Sequence, residues 1–174
     1  MRILKYVWCH LVMLATALLP DLTPCMRLRG FLLRPALKRC GRNFQLARRV
    51  TLNFSSELEI GNDVYFAAGS WIHAPGGIVV EDEVQFGPYV VLISGDHTLK
   101  AGSYRYGPGS RAPIRLCRGS WIGAHATVLK GVTVGCGALV AANAVANRDI
   151  PDFAIAGGIP ARVLKLADPN GAAP

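Results

Sequence analysis

From residue 60 onward an apolar side chain returns every six residues. With that residue as position one, the frame runs Ile60, Phe66, Ile72, shifts by two to Val80, Phe86, Leu92, and resumes at Leu116, Ile122, Val128, Val134 and Val140. A small or β-branched residue follows four positions later, at Val64, Ser70, Val84, Val90, Ser120, Ala126, Val132, Ala138 and Ala144. Glycine often takes position two, as at Gly61, Gly87, Gly123 and Gly135. A period of six fits neither a 3.6-residue helix nor an antiparallel meander. It predicts a solenoid of short strands, each coil hydrogen-bonded to the next about 4.8 Å along the axis and none stable alone. Both recurring positions point inward, and Gly or Asn takes the corners, where backbone geometry is demanding.

Ahead of the repeat, Ile3 to Leu19 is apolar except for Lys5, His10 and Thr16, which predicts a helix closed by Pro20. Seventeen residues at ~1.5 Å each reach about 25 Å, short of a ~30 Å hydrocarbon core, so a clean span is not expected. A cleaved signal peptide is the weaker reading of Met1-Arg2 and Ala15-Thr16-Ala17, because His10 interrupts the apolar run. Arg27, Arg29, Arg34, Lys38, Arg39 and Arg42 follow; Arg27, Arg34 and Lys38 share a helical face, and Pro35 prevents a long helix. Two readings stay open. Residues 1–42 lie at an anionic membrane surface, or the helix packs on the protein's own body and the arginines form a solvated face.

The repeat breaks once. After Leu92-Ile-Ser-Gly-Asp-His97 the pattern is lost over Thr98 to Pro113, a segment with three Gly, two Pro, Tyr104, Tyr106 and three basic residues. Frame returns at Leu116, 24 residues after Leu92, so the solenoid keeps its phase and the insertion reads as a protruding loop. Long loops in a compact repeat are usually functional.

Charge sharpens the division of the chain. The 174 residues carry a formal +8, but residues 1–50 hold ten Lys/Arg against Asp21 alone, whereas the remainder is net −1. Basicity confined to one segment, without interleaved aromatics or a nucleic-acid motif, argues against nucleic-acid binding. Five cysteines with no CxxC pair give neither a disulfide framework nor a zinc knuckle, and reduced cysteines in a cytoplasmic protein are expected.

The segment Gly119-Ser-Trp-Ile-Gly-Ala-His-Ala-Thr-Val-Leu-Lys-Gly-Val-Thr-Val-Gly, with Ala144-Val-Ala-Asn-Arg-Asp-Ile-Pro and Ala156-Gly-Gly-Ile-Pro-Ala-Arg-Val, resembles the left-handed β-helix acyltransferases. The branch is that of the maltose and galactoside O-acetyltransferases and related polysaccharide O-acetyltransferases, and the resemblance covers residues 40–165. It implies an all-β, left-handed parallel β-helix with three hexapeptides per 18-residue coil and about five coils. Its domains are an N-terminal apolar helix and basic segment (1–39), a β-helix acyltransferase domain (40–165) with loop 98–113, and a flexible tail (166–174). It also implies a homotrimer with active sites between neighbouring prisms.

The resemblance further implies an acetyl-CoA-dependent O-acetyltransferase acting on a hydroxyl of a sugar or glycan. His97 matches the family's catalytic histidine, the general base toward the acceptor hydroxyl; imidazole suits that task because its unperturbed pKa of about 6.5 lies near working pH. Arg148, Arg162 and Lys165 match phosphate contacts of coenzyme A, Ala124 and Ala142 lie beside the pantetheine track, and Trp121 borders the active site. Tyr104 and Tyr106 are substrate-loop candidates. Asp96 is expected to cap the corner rather than pair with His97, since neighbours on an extended chain face opposite ways. His73 and His125 read as structural. Some left-handed β-helices are zinc enzymes with two histidines five apart, a spacing this chain lacks, so no metal is assigned.

Two departures bear on the acceptor. Maltose- and galactoside-type members usually carry Asn where this chain has Ala67, and they begin with a soluble helical region unlike Ile3 to Leu19. Both features point away from a free mono- or disaccharide and toward a lipid-linked or polymeric glycan at the inner membrane face. The alternatives are an N-acetyltransferase on an amino sugar and a non-catalytic structural hexapeptide-repeat protein.

Overall fold

The computed structural model describes residues 2–168. Residues 169–174, most of the expected tail, lie outside the described residues. The chain opens with two helices, α1 (Arg2–Ala15) and α2 (Thr23–Leu33). α1 is shorter than the apolar run, and its last residues, Thr16 to Leu19, close in turns ahead of Pro20. Pro24 stands in the first turn of α2, where its missing N–H costs no hydrogen bond, and Pro35 falls in a short 3-10 turn, Arg34–Ala36, that ends the helical region.

From Arg39 the chain winds into a three-sided parallel β-helix. One side stacks Arg39–Cys40, Leu58–Ile60, Ile78–Val80, Ile114–Leu116 and Thr133–Val134. The second runs from Gln45–Leu46 through Tyr65–Phe66, Gln85–Phe86, Trp121–Ile122 and Leu139–Val140 to Ala154–Gly157. The third stacks Thr51–Asn53, Trp71–His73, Val91–Ile93, Thr127–Leu129 and Val145–Ala146. Five coils and the beginning of a sixth result.

Every position-one residue of the six-residue frame and every small partner four later is buried, so the periodicity is the core. Phe44, Phe66 and Phe86 form a ring column up the interior, edge-on at 5.1 Å and then stacked at 4.2 Å. The corners need left-handed backbone, supplied at one edge by Asn43, Asp63, Glu83, Gly119 and Gly137 in successive coils. Coil length departs from the expected 18. Glu59 pairs with Arg39 and Val79 with Glu59, a twenty-residue period; 18 holds only from Arg115↔Thr133 to Thr127↔Val145, after which Leu139↔Ile155 shortens it to 16. The physical reason is the third corner, which in the early coils carries two extra residues, as at Ala74-Pro75-Gly76-Gly77; the two-residue slip between Ile72 and Val80 is its trace in the sequence.

Both ends of the solenoid are closed. At the far end Arg162–Leu166 turns back antiparallel on Ala154–Gly157. At the near end α2 lies against Gln45–Leu46, so closely that a Cβ on Gly30 would sit 2.0 Å from the Phe44 carbonyl oxygen. Arg29 is fully buried there, which corrects its assignment to a solvated or lipid-facing basic stretch. Its guanidinium pairs with Asp21 at 2.8 Å and donates to the carbonyls of Leu46 and Leu19, while Asp21 accepts the Arg48 backbone N–H at 2.9 Å. Burial without that carboxylate and those carbonyls would be prohibitive for a guanidinium.

Candidate active site

His97 ends a short strand, Gly95–His97, that leaves the third side of the solenoid just after Val91–Ile93. That strand pairs antiparallel with Gly109–Arg111, with His97 opposite Gly109 and Asp96 opposite Ser110. The insertion is therefore a two-stranded arm, not an irregular loop. Its neck is drawn tight: the Thr98 hydroxyl donates to the Pro108 carbonyl at 2.5 Å, and Gly107 runs so close to the Thr98 carbonyl that a side chain there has no room. The arm thus fixes the backbone of His97 while the imidazole remains exposed.

Asp96 does not serve His97. Its carboxylate binds Lys130 Nζ at 2.9 Å, and Lys130 donates in turn to the Ser110 hydroxyl at 2.6 Å, so the pair pins the arm to the coil below, as the corner reading expected. Tyr104 and Tyr106 are exposed near the arm's tip. Trp121 lies on the second side of the solenoid, 49% exposed, in register with Leu139 and through it with Ile155. Ala124 and Ala142 occupy equivalent places on consecutive coils, tied by the Asn143 N–H to the Ala124 carbonyl at 2.9 Å. Arg162 and Lys165 share the exposed antiparallel closing strand, and Arg148 stands exposed at the next corner, just beyond Val145–Ala146. These cations therefore gather in the last coils, on two different edges. Ala67 is buried, so that position offers no side chain to an acceptor.

His73, read from the sequence as structural, stands in a less ordinary setting. It ends the strand Trp71–His73, beside Ile93 of the coil that leads to His97. Its ring meets Phe54 edge-on at 5.2 Å and stacks on Trp71 at 5.8 Å, and its Nδ1 is buried without a hydrogen-bond partner. Burial, followed by the positive charges of Arg111 and His97, lowers its pKa below the ordinary 6.5. The signal was the two-residue slip itself, because His73 stands at the start of the enlarged corner.

Among the described residues, Glu81, Cys117 and Cys136 bring a carboxylate oxygen and two sulfurs within 4.8 Å of one another. Glu81 is already engaged by the Arg115 guanidinium and by the Arg118 backbone N–H, and burial raises the Cys117 thiol above its ordinary range, so the carboxylate is held in an ion pair beside that thiol.

No family model matches the chain. Among curated proteins it is 26% identical to galactoside O-acetyltransferase of Escherichia coli K12 over 137 residues, 79% of this chain and 68% of that one. Among solved structures, a galactoside acetyltransferase in complex with coenzyme A superposes with a TM-score of 0.84 at 23% identity, over 97% of this chain and 84% of the other. A hexapeptide-repeat-containing acetyltransferase of Vibrio cholerae, complexed with acetyl coenzyme A, superposes with a TM-score of 0.80 at 24% identity, over 94% and 88%. The fold is accordingly that of the left-handed β-helix, hexapeptide-repeat acyltransferases. The chain is an enzyme of the acetyltransferase class, similar over most of its length to galactoside O-acetyltransferase.

Proposed function

We propose that this chain transfers the acetyl group of acetyl-CoA to a hydroxyl of a sugar or glycan, with His97 as general base. The observation that carries the reading is the placement of His97: an exposed imidazole held at the neck of the one arm interrupting the solenoid. The imidazole takes the proton as the acceptor oxygen forms its bond to the thioester carbonyl carbon. The resulting oxyanion then collapses, the carbon–sulfur bond breaks, and the proton passes from the imidazolium to the departing thiolate of coenzyme A. Arg148, Arg162 and Lys165 supply positive charge for the phosphates, the backbone beside Ala124 and Ala142 supports the pantetheine arm, and Trp121 flanks the thioester. Tyr104 and Tyr106 reach over the acceptor from the arm.

The catalytic unit is residues 40–165, and it works as a homotrimer whose neighbouring prisms complete each site. The N-terminal segment gives it a peripheral contact with an anionic membrane. Supporting that contact, α1 buries Cys9 and Val12 but leaves Ile3, Leu4, Leu11 and Leu14 in solvent, an apolar face that a free surface rarely retains. No described helix is long and apolar enough to cross a membrane.

Coenzyme A at 100 times its dissociation constant should stabilise the protein by about 2.7 kcal/mol, read as a rise in melting temperature. His97→Ala should keep that shift and lose about 10²- to 10⁴-fold in turnover, whereas Arg148→Ala should weaken the shift. Normal turnover in His97→Ala overturns the assignment of the base. Alkaline lability of the product separates ester from amide, and an amide moves the reading to amino sugars.

A further inference from the structure

We infer that the cleft beside His73 holds the apolar tail of the acceptor, so that the glycan acetylated is carried on a lipid chain. The inference rests on the proposed acetyl transfer and adds the substrate class. The cleft, about 410 Å³, lies between the start of α1 and the third side of the solenoid, walled by Ile3, Tyr6, Phe54, Trp71 and His73. It adjoins the coil that carries the proposed base. His73 pairs with Ile93 at the end of Val91–Ile93, the strand that leads into Gly95–His97.

The composition of the walls selects the occupant. Aromatic rings and an isoleucine make the larger part of the wall apolar, a surface that suits methylene groups, while Asn53, Ser55 and Ser56 supply its polar part. One polar atom stands out, the unpartnered Nδ1 of His73. Its lowered pKa keeps the ring neutral, so an acceptor hydroxyl or linking oxygen can complete that hydrogen bond without a second positive charge beside His97. A tail lying in the cleft runs out along α1, where Ile3 and Leu4 are more than 70% exposed. The apolar surface thus continues from the edge of the chemistry to the outside of the molecule, the route a chain longer than the cleft requires.

The test uses two probes with one head group, methyl and octyl β-D-galactoside, both below micellar concentration and with coenzyme A saturating, by titration calorimetry on the full chain. Each buried methylene is worth roughly a fourfold gain in affinity, so the octyl compound should bind at least about tenfold tighter. Trp71→Ala and Ile3→Ser, both surface positions on the cleft wall, should erase that difference. Leu14→Ser, on the exposed face of α1 outside the cleft, should preserve it. Equal affinities, binding of neither probe, or an octyl preference that Trp71→Ala leaves intact overturns the inference. The coenzyme A melting shift reports on the acetyltransferase reading separately, because it requires neither probe.

Discussion

His73 and His97 are one coil apart, yet only one of them was legible in the sequence. His97 announces itself because the hexapeptide frame fails immediately after it, and a break in a strict repeat is visible in any single chain. His73 lies within a frame that merely slips by two, and its chemistry comes from neighbours distant in sequence: Phe54 from the previous coil and Tyr6 from α1. Its lowered pKa carries a prediction. Because the folded state resists protonation of this ring, the unfolded chain binds the proton first as pH falls. Stability should therefore fall as pH drops below about 6.5 toward the folded-state value, and be unaffected by this group above that range. His73→Gln should flatten this part of the melting-temperature profile between about pH 7.5 and 5.5. An unchanged slope would show that the ring titrates freely.

Among the elements, α2 is where composition misled. A run of arginines reads as a solvated or lipid-facing stripe until the partner of each is known, and Arg29 points inward because a single acid, Asp21, folds back to meet it. No local pattern reveals such a pairing, whose partners are eight residues apart across the turn between the helices. Asp21→Ala would leave a buried guanidinium without its counter-ion and should cost about 3 kcal/mol in chemical denaturation. Gly30→Ala tests the same contact by crowding: its methyl group would overlap the Phe44 carbonyl, and backbone cannot yield as a side-chain tip can. A loss of about 1–3 kcal/mol is expected. If both variants melt like the parent, α2 is not held on the solenoid as described. The arm, by contrast, was foreseen as a loop, and its pairing into two strands follows from hydrogen bonds that the Gly- and Pro-rich composition does not advertise.

The whole molecule is a stack in which each coil completes the one beneath it. That logic made the core legible residue by residue, since a period of six with an inward residue at position one needs no tertiary information. It left coil length uncertain, because corner size is set by which residues tolerate left-handed backbone and not by the apolar rhythm. The same logic governs the ends. A parallel stack terminates in a row of unsatisfied N–H and C=O groups, a template onto which another stack can add. Here α2 covers Gln45–Leu46 of the first row and α1 packs against Thr51–Asn53, and Arg29 donates a hydrogen bond to the Leu46 carbonyl within that row. The helices that bring apolar surface to the cleft are therefore also a stopper on the near end of the stack. A chain cut back to residue 39 should pair through that bared row into discrete end-to-end dimers, seen by sedimentation, while the closing strand Arg162–Leu166 keeps the far end shut and stops growth there.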